Sequence, residues 1–137
     1  MYSALKISFL FILLTTLSCQ QQTDKEDTKE YNIIGKKATI TYPEFEAEVN
    51  YISDQKLHWK TTHKDGIVNE GEEKIFFKKI SKTEFLINWI EVDGLTVSKI
   101  VNVETGDVNA FISYRDENST RGEREGFMIQ GKWTENK

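Results

Sequence analysis

The chain is short of cysteine, proline and positive charge, and each shortage narrows the class of protein. Among its 137 residues there are one cysteine and one proline. A single thiol cannot form an internal disulfide, so a packed core has to hold the fold. Lysine and arginine number 18 against 22 acidic residues, which gives a net charge of -4. No basic stripe is present to follow a phosphate backbone, and we therefore expect no nucleic acid partner.

Several catalytic and metal-binding patterns are also missing. The eight glycines are dispersed and form no phosphate-cradling loop, and no G-x-S-x-G elbow occurs. His58 and His63 are five residues apart on one predicted strand, so their side chains point to opposite faces and predict no metal site. We expect neither a metal nor another cofactor. A hydrophobic content of 38% with 12% aromatic residues is nevertheless enough for one folded domain.

Residues 1–18 have the pattern of a signal peptide. Lys6 supplies the positive charge, and an apolar run follows from Ile7 to Leu14. The run is too short to span a bilayer, which favours a secretory signal over a permanent membrane helix.

The only cysteine, Cys19, directly follows this region in the sequence LTTLSC. The segment resembles the lipobox of bacterial lipoproteins, with Ser18 fitting the position before the cysteine and Thr16 standing where leucine is usual. The resemblance implies that Cys19 is lipidated and becomes the mature N-terminus, and a leftover cysteine in a plain secretory signal is the alternative. We predict a lipid anchor in the cell envelope, on the periplasmic or cell-surface side of a membrane.

After the lipobox the chain is polar and then becomes strand-like. Residues 19–31 contain no apolar side chain before Tyr31 and predict a flexible tether, which leaves residues 32–137 as a single domain. In this domain apolar and polar residues alternate with period two, which indicates strands with one buried face. The predicted strands are 37–42, 45–52, 56–63, 73–80, 84–92, 95–103, 108–114 and 127–133.

The connections between these strands predict how they are arranged. Asp93 and Gly94 favour a two-residue type I′ hairpin, and the one long connection is the charged segment 115–126. Eight consecutive antiparallel strands without a helix pattern predict an all-β fold, namely an up-and-down barrel of the calycin or lipocalin kind, with a sandwich as the alternative.

Three stretches of the domain carry a family resemblance. GKKATITYPEFEAEVNYIS, DGIVNEGEE and FLINWIEVDGLTVSKIVNVETGDVNAFISY resemble the calycin-like barrels of phenolic acid decarboxylases and of the MoaF-like domain. The most specific element is the run of Trp89, Glu91, Gly94 and Val97. The resemblance implies a small barrel with an interior large enough for a ligand.

The decarboxylase site itself is only partly present. The resemblance places Tyr42 at the second of two substrate-gripping tyrosines and Glu91 at the proton-donating glutamate. The first tyrosine position, however, is Ile40, and the loop 66–73 has no arginine. Half of the groups that would bind the substrate carboxylate are therefore absent. Glu91 is a candidate rather than an assigned catalytic residue, and a non-enzymatic protein is favoured over a decarboxylase-like lyase.

We therefore predict that the barrel binds a small, partly apolar or aromatic ligand. A filled barrel that serves as a structural or protein-interaction module, with segment 115–126 meeting a partner, is the alternative. The sequence sets no oligomeric state. Alternation places Glu91 on the face that carries Phe85, Ile87 and Trp89, where it needs a polar partner, and Tyr42, Lys60 and Arg115 are the candidates. The predicted ligand-binding residues are Tyr42, Trp59, Lys60, Trp89, Glu91 and Arg115.

Overall fold

The computed structural model describes residues 30–137, and this part of the chain folds into a closed barrel of eight antiparallel strands. No helix among the described residues is long and apolar enough to cross a membrane. Residues 1–29, with the predicted signal peptide, Cys19 and most of the predicted tether, lie outside the described residues. The strands are β1 (Lys37–Thr41), β2 (Phe45–Ser53), β3 (Lys56–His63), β4 (Val68–Lys79), β5 (Glu84–Ile90), β6 (Thr96–Asn102), β7 (Asp107–Arg115) and β8 (Arg124–Glu135).

Each strand pairs with its neighbours in the sequence, and β8 pairs with β1 to close the sheet. In the closing ladder Ile40 lies opposite Trp133 and Ala38 lies opposite Glu135. The prediction of an up-and-down eight-stranded barrel is confirmed. Closure leaves the small domain without a fully exposed edge strand, which is the usual hazard of an open sheet.

The period-two pattern separates the interior from the surface. On β2 the side chains of Ala47, Val49 and Tyr51 are buried, whereas Glu46 and Glu48 are exposed. On β5, where both faces are apolar enough to be ambiguous in the sequence, Phe85, Ile87 and Trp89 face inward. The outward residues of β5 are half-buried or exposed, because no second layer covers them.

One end of the barrel is filled by the hydrophobic core. The segment before β1 folds across this end, because the backbone N–H of Gly35 donates to the carbonyl oxygen of Tyr51 at 2.6 Å and the N–H of Tyr51 donates to that of Lys36 at 2.9 Å. This places Ile33, which is 1% exposed, in the core. The buried side chains at the filled end are Ile33, Tyr51, Leu57, Phe85, Val101 and Val108.

Two strands begin earlier than the sequence predicted. Val68–Lys74 pairs with β3, so most of the segment predicted as a loop before β4 belongs to the strand. Likewise Arg124–Lys132 pairs with β7, which shortens the predicted connection 115–126 to residues 116–123. The added residues, 68–72 and 124–126, are too polar to show a buried face, and pairing with the neighbouring strands decides their conformation.

The turn between β5 and β6 also differs from the prediction. The N–H of Gly94 donates to the carbonyl oxygen of Glu91, and the N–H of Glu91 donates to that of Leu95, both at 2.8 Å. Gly94 has a positive φ of 86°, whereas Asp93 does not. A type I′ turn needs positive φ at both central positions, so the two-residue hairpin was wrong. Glu91 and Leu95 instead flank a three-residue loop, and the carboxylate of Asp93 accepts a hydrogen bond from the Leu95 N–H at 2.9 Å.

Gly131 on β8 allows the ring of Tyr42 to lie directly against the strand. A Cβ atom at position 131 would lie 2.7 Å from Cδ1 of Tyr42 and 3.0 Å from Cγ2 of Ile40. Any side chain would therefore push the tyrosine away from β8.

We expect Gly131→Ala to lower the free energy of unfolding by about 1–3 kcal/mol, because overpacking forces neighbouring side chains out of place. Urea denaturation monitored by tryptophan fluorescence measures the change. The matched control is Met128→Ala on the same strand, where the side chain is 65% exposed, and its effect should stay within about 0.5 kcal/mol. Equal losses in the two variants would show that the contact with Tyr42 is not what makes Gly131 necessary.

Candidate functional site

A cavity of about 470 Å³ opens at the end of the barrel opposite the filled end. Its mouth is formed by the turns that join β1 to β2, β3 to β4, β5 to β6 and β7 to β8. The volume lies within the range of small-molecule sites, and most of the lining side chains are apolar. The principal lining residues are Tyr42, Phe45, Val49, Trp59, Trp89, Leu95, Val97, Ile112, Tyr114 and Phe127.

Lys99 lines this cavity and is the only buried charged side chain among residues 30–137. It lies in the middle of β6, where alternation turns Val97, Lys99 and Val101 inward together. Its side chain is 3% exposed, and no carboxylate of the described residues forms an ion pair with it. The Nζ atom instead lies 5.0 Å from the centre of the Trp89 ring and 5.8 Å from that of Tyr51. Aromatic faces offer a cation only partial compensation for lost water.

Burial lowers the pKa of Lys99 to about 7. The cause is desolvation, because the ammonium form loses its hydration and gains no counter-ion. At neutral pH the side chain therefore exists both as an ammonium ion and as a free amine. Such a group in an apolar cavity is a common feature of functional sites.

Glu91 lies at the mouth and its side chain lines the cavity. Its carboxylate accepts a hydrogen bond from the indole N–H of Trp89 at 3.2 Å. Desolvation raises the pKa of Glu91, whereas the hydrogen bond from Trp89 lowers it. The nearby carboxylates of Glu73 and Asp93 raise the pKa of Glu91 further. The polar partner of Glu91 is thus Trp89, rather than Tyr42, Lys60 or Arg115.

Buried donors without partners lie around the cavity. The indole Nε1 of Trp59, a lining residue, has no hydrogen-bond partner among the described residues. The hydroxyl of Tyr51, deeper in the barrel, and the Nε1 of Trp133 are in the same condition. Burial raises the pKa of Tyr51, and the neighbouring Tyr42 raises it further. The indole of Trp133 lowers this pKa, although its N–H and the Tyr51 hydroxyl do not form a hydrogen bond. Unpaired buried polar atoms are rare in native proteins, and a group of them beside a cavity marks this region as a candidate site.

Tyr42 is buried at the edge of the cavity, and its ring packs on Phe45 with 4.7 Å between ring centres. Burial raises the pKa of Tyr42 to about 12, so its hydroxyl stays protonated. Ile40, which stands at the other tyrosine position of the decarboxylases, is fully buried. Among residues 30–137 no arginine lines the cavity. The described residues therefore supply an acid, Glu91, but not the second tyrosine and the arginine that would bind a substrate carboxylate in the decarboxylases.

One arginine of the mouth region, Arg124, is half-buried and has a structural role. Arg124 at the start of β8 donates to the carbonyl oxygens of Gly94 at 3.1 Å and Ser113 at 3.0 Å, and to the hydroxyl of Thr96 at 3.2 Å. It thereby ties the turn that carries Glu91 to β6 and β7. The sequence placed this arginine in a loop and gave it no role.

Four of the six residues predicted to bind ligand line the cavity, namely Tyr42, Trp59, Trp89 and Glu91. Lys60 does not, because it alternates with the inward Trp59 and Thr61 on β3. Arg115 lies at the exposed end of β7, where it pairs with Glu117 at 3.2 Å and Glu123 at 3.3 Å. Neither residue lines the cavity, and a role for them in ligand binding stays a prediction.

Lys99 was missed, although the sequence held a signal for it. In LTVSKIV the lysine shares its alternating face with Leu95, Val97 and Val101, and a charge on a face that is otherwise apolar indicates an inward cation.

Metal binding finds no support in the described part of the chain, which contains no cluster of three or more His, Cys, Asp or Glu side chains that could hold an ion. His58 lies outside the barrel with its Nε2 atom 3.7 Å from Glu70. His63 faces inward at the mouth, with its ring centre 5.2 Å from that of Phe45.

Comparison with solved structures agrees with the fold. The chain is similar to a Burkholderia vietnamiensis protein described as a "putative beta-lactamase", with a TM-score of 0.64 and 17% sequence identity. The match covers 79% of this chain and 99% of that one. At this identity the likeness concerns the barrel fold alone. No curated protein matches the sequence.

Comparison with family models goes further. The MoaF-like family model matches residues 34–125, which include seven of the eight strands, the first residues of β8 and most of the cavity-lining residues. The match agrees with the resemblance noted in the sequence and covers more than half of the chain. This protein belongs to the MoaF-like family.

Proposed function

We propose that this MoaF-like protein is a lipid-anchored component of the cell envelope that binds a small, partly apolar ligand inside its barrel and does not turn it over. The observation that carries the proposal is the open cavity, with Lys99 buried in its wall and unpaired. A barrel that serves only as a structural module would be expected to fill this space with side chains.

The unpaired lysine indicates which part of a ligand would lie deepest. A buried ammonium without a counter-ion is costly, and an oxygen atom from a ligand would offset that cost. The indole N–H of Trp59, a residue of the cavity wall, is a second buried donor and has no partner among the described residues. We infer a ligand with an oxygen acceptor, such as a carboxylate or a carbonyl group, at its inner end.

The rest of the cavity selects the remainder of the ligand. Phe45, Trp59 and Trp89 present apolar surface to an aromatic or aliphatic body. Glu91 and Asp93 at the mouth repel a negative charge at the outer end. A small aromatic acid or aldehyde meets these conditions better than a dicarboxylate does.

The topology is compatible with an anchor at the N-terminus. The chain enters β1 at the filled end, and the cavity opens at the other end. A lipid on Cys19, joined through the predicted tether, would therefore attach at the filled end and leave the mouth of the cavity unobstructed.

The binding proposal is tested by titrating the purified protein with benzoate and following tryptophan emission, since Trp59 and Trp89 line the cavity. We expect saturable quenching, and Lys99→Met should weaken binding about tenfold or more, because a charge-assisted hydrogen bond contributes roughly 1.5–3 kcal/mol. Lys78→Met, the same change at an exposed position of β4, should leave the affinity unchanged. Benzylamine should bind more weakly than benzoate. Benzoate binding that is indifferent to Lys99→Met would contradict the assigned role of the lysine.

The buried lysine also makes stability depend on pH. Below pH 7 Lys99 is protonated in both the folded and the unfolded state, and the folded state bears the full desolvation cost. Between about 7 and the ordinary value of 10.5 only the unfolded state holds this proton, so stability rises with pH. We expect Lys99→Met to be more stable than the wild type at pH 6. The difference between their free energies of unfolding should narrow by at most about 1.4 kcal/mol per pH unit toward pH 10. Urea denaturation at several pH values measures this difference. A difference that does not change with pH would refute the lowered pKa of Lys99. Lys78→Met serves again as the control, and its free energy of unfolding should change with pH as that of the wild type does.

Lipid attachment is tested in cells with a labelled fatty-acid precursor. We expect the wild type to incorporate label and to fractionate with membranes, and Cys19→Ala to lose the label. Ser3→Ala in the signal region is the matched control and should keep it. Equal labelling of the wild type and Cys19→Ala would exclude lipidation at this cysteine.

A further inference from the structure

Lys99 differs from the other lysines of the described chain in its surroundings. Lys36, Lys56 and Lys132 form ion pairs with carboxylates on the surface. Lys99 lies across the sheet from Ile87 and Ala110, in an apolar part of the wall, and it is one of the residues that line the cavity. An amine that water does not solvate and that no carboxylate holds is available to react with a molecule in that cavity.

We propose that Lys99 captures small apolar aldehydes or ketones covalently, as an imine inside the barrel. The inference rests on the proposed function, because it requires the cavity to admit a ligand, and it adds the chemical class of ligand that would be retained longest.

The reaction needs only the amine and the carbonyl compound. The lone pair of the neutral Nζ attacks the carbonyl carbon, a C–N bond forms as the C=O π bond breaks, and one N–H proton passes to the oxygen to give a carbinolamine. The C–O bond then breaks, the nitrogen lone pair forms the C=N bond, and the hydroxyl group leaves as water with the second N–H proton, which gives the neutral imine. One water molecule is released for each ligand bound, and no oxidant or reductant takes part.

The geometry favours this reaction in two ways. The fraction of free amine at neutral pH is far larger than for an exposed lysine, because burial lowers the pKa of Lys99 to about 7. The aromatic rings of Trp89 and Tyr51 flank the nitrogen and limit the access of water, which would hydrolyse the product. The ionisable groups that line the same cavity, namely Tyr42, His63, Glu91 and Asp93, make no ion pair with Lys99 that would hold it protonated.

The test uses benzaldehyde with sodium cyanoborohydride, which reduces an imine to a stable secondary amine. The full-length protein is incubated with both reagents at neutral pH, and its intact mass and proteolytic peptides are determined. We expect one adduct per chain, located at Lys99, to form at least tenfold faster than an adduct at any other lysine. Lys99→Arg should lose this fast adduct, and Lys78→Met should retain it.

A parallel titration without reductant separates the two proposals. Benzaldehyde that quenches tryptophan emission reversibly, with no fast adduct at Lys99, would overturn the covalent proposal and leave ligand binding intact. A failure of both benzaldehyde and benzoate to bind would count against the proposed function as well. Modification spread evenly over Lys99 and the exposed lysines would also overturn the covalent proposal, because it would show that burial confers no reactivity. Circular dichroism of Lys99→Arg establishes that its loss of reaction is not a loss of folding.

Discussion

The ladder between β1 and β8 is the constraint on which every other feature depends, because it turns a sheet with two faces into a barrel with an inside. Thr41 opposite Lys132 and Ile40 opposite Trp133 close the ring. Closure gives the inward residues of all eight strands a common interior, so that one alternating pattern produces both a core and a cavity. It also brings β8, with Gly131, close enough for the Tyr42 ring to pack against its backbone.

The interior is used differently at its two ends. At the filled end the segment before β1 inserts Ile33 among large apolar side chains, and the packing there supplies hydrophobic stabilisation. At the other end the inward residues include alanine and polar side chains, and space remains. Trp89 joins the two regions, since its N–H binds the half-buried Glu91 at the mouth while its ring faces the ammonium of Lys99. The packed core and the open cavity thus occupy separate parts of one barrel.

Much of the fold could be predicted, because period-two alternation reports directly on strands with one buried face. All eight strands were found, and the burial of Ala47, Val49 and Tyr51 followed from their spacing. The starts of β4 and β8 could not be predicted in the same way. Val68 and Arg124 begin stretches that are polar or exposed, and they are strands only because β3 and β7 offer a ladder at that position.

The candidate site could be predicted only in part, and there is a physical reason why some of its features could be predicted and others could not. The order of residues along each strand determines which side chains alternate inward, sets Glu91 beside a hairpin, and gives the apolar face of β6 one lysine. The closed barrel, in contrast, makes Trp89 the partner of Glu91, leaves Lys60 and Arg115 outside the cavity, and gives Lys99 no ion pair with a carboxylate of the described residues. Strand periodicity is a local property, whereas a partner, a counter-ion or an empty volume depends on how distant strands are placed when the barrel closes.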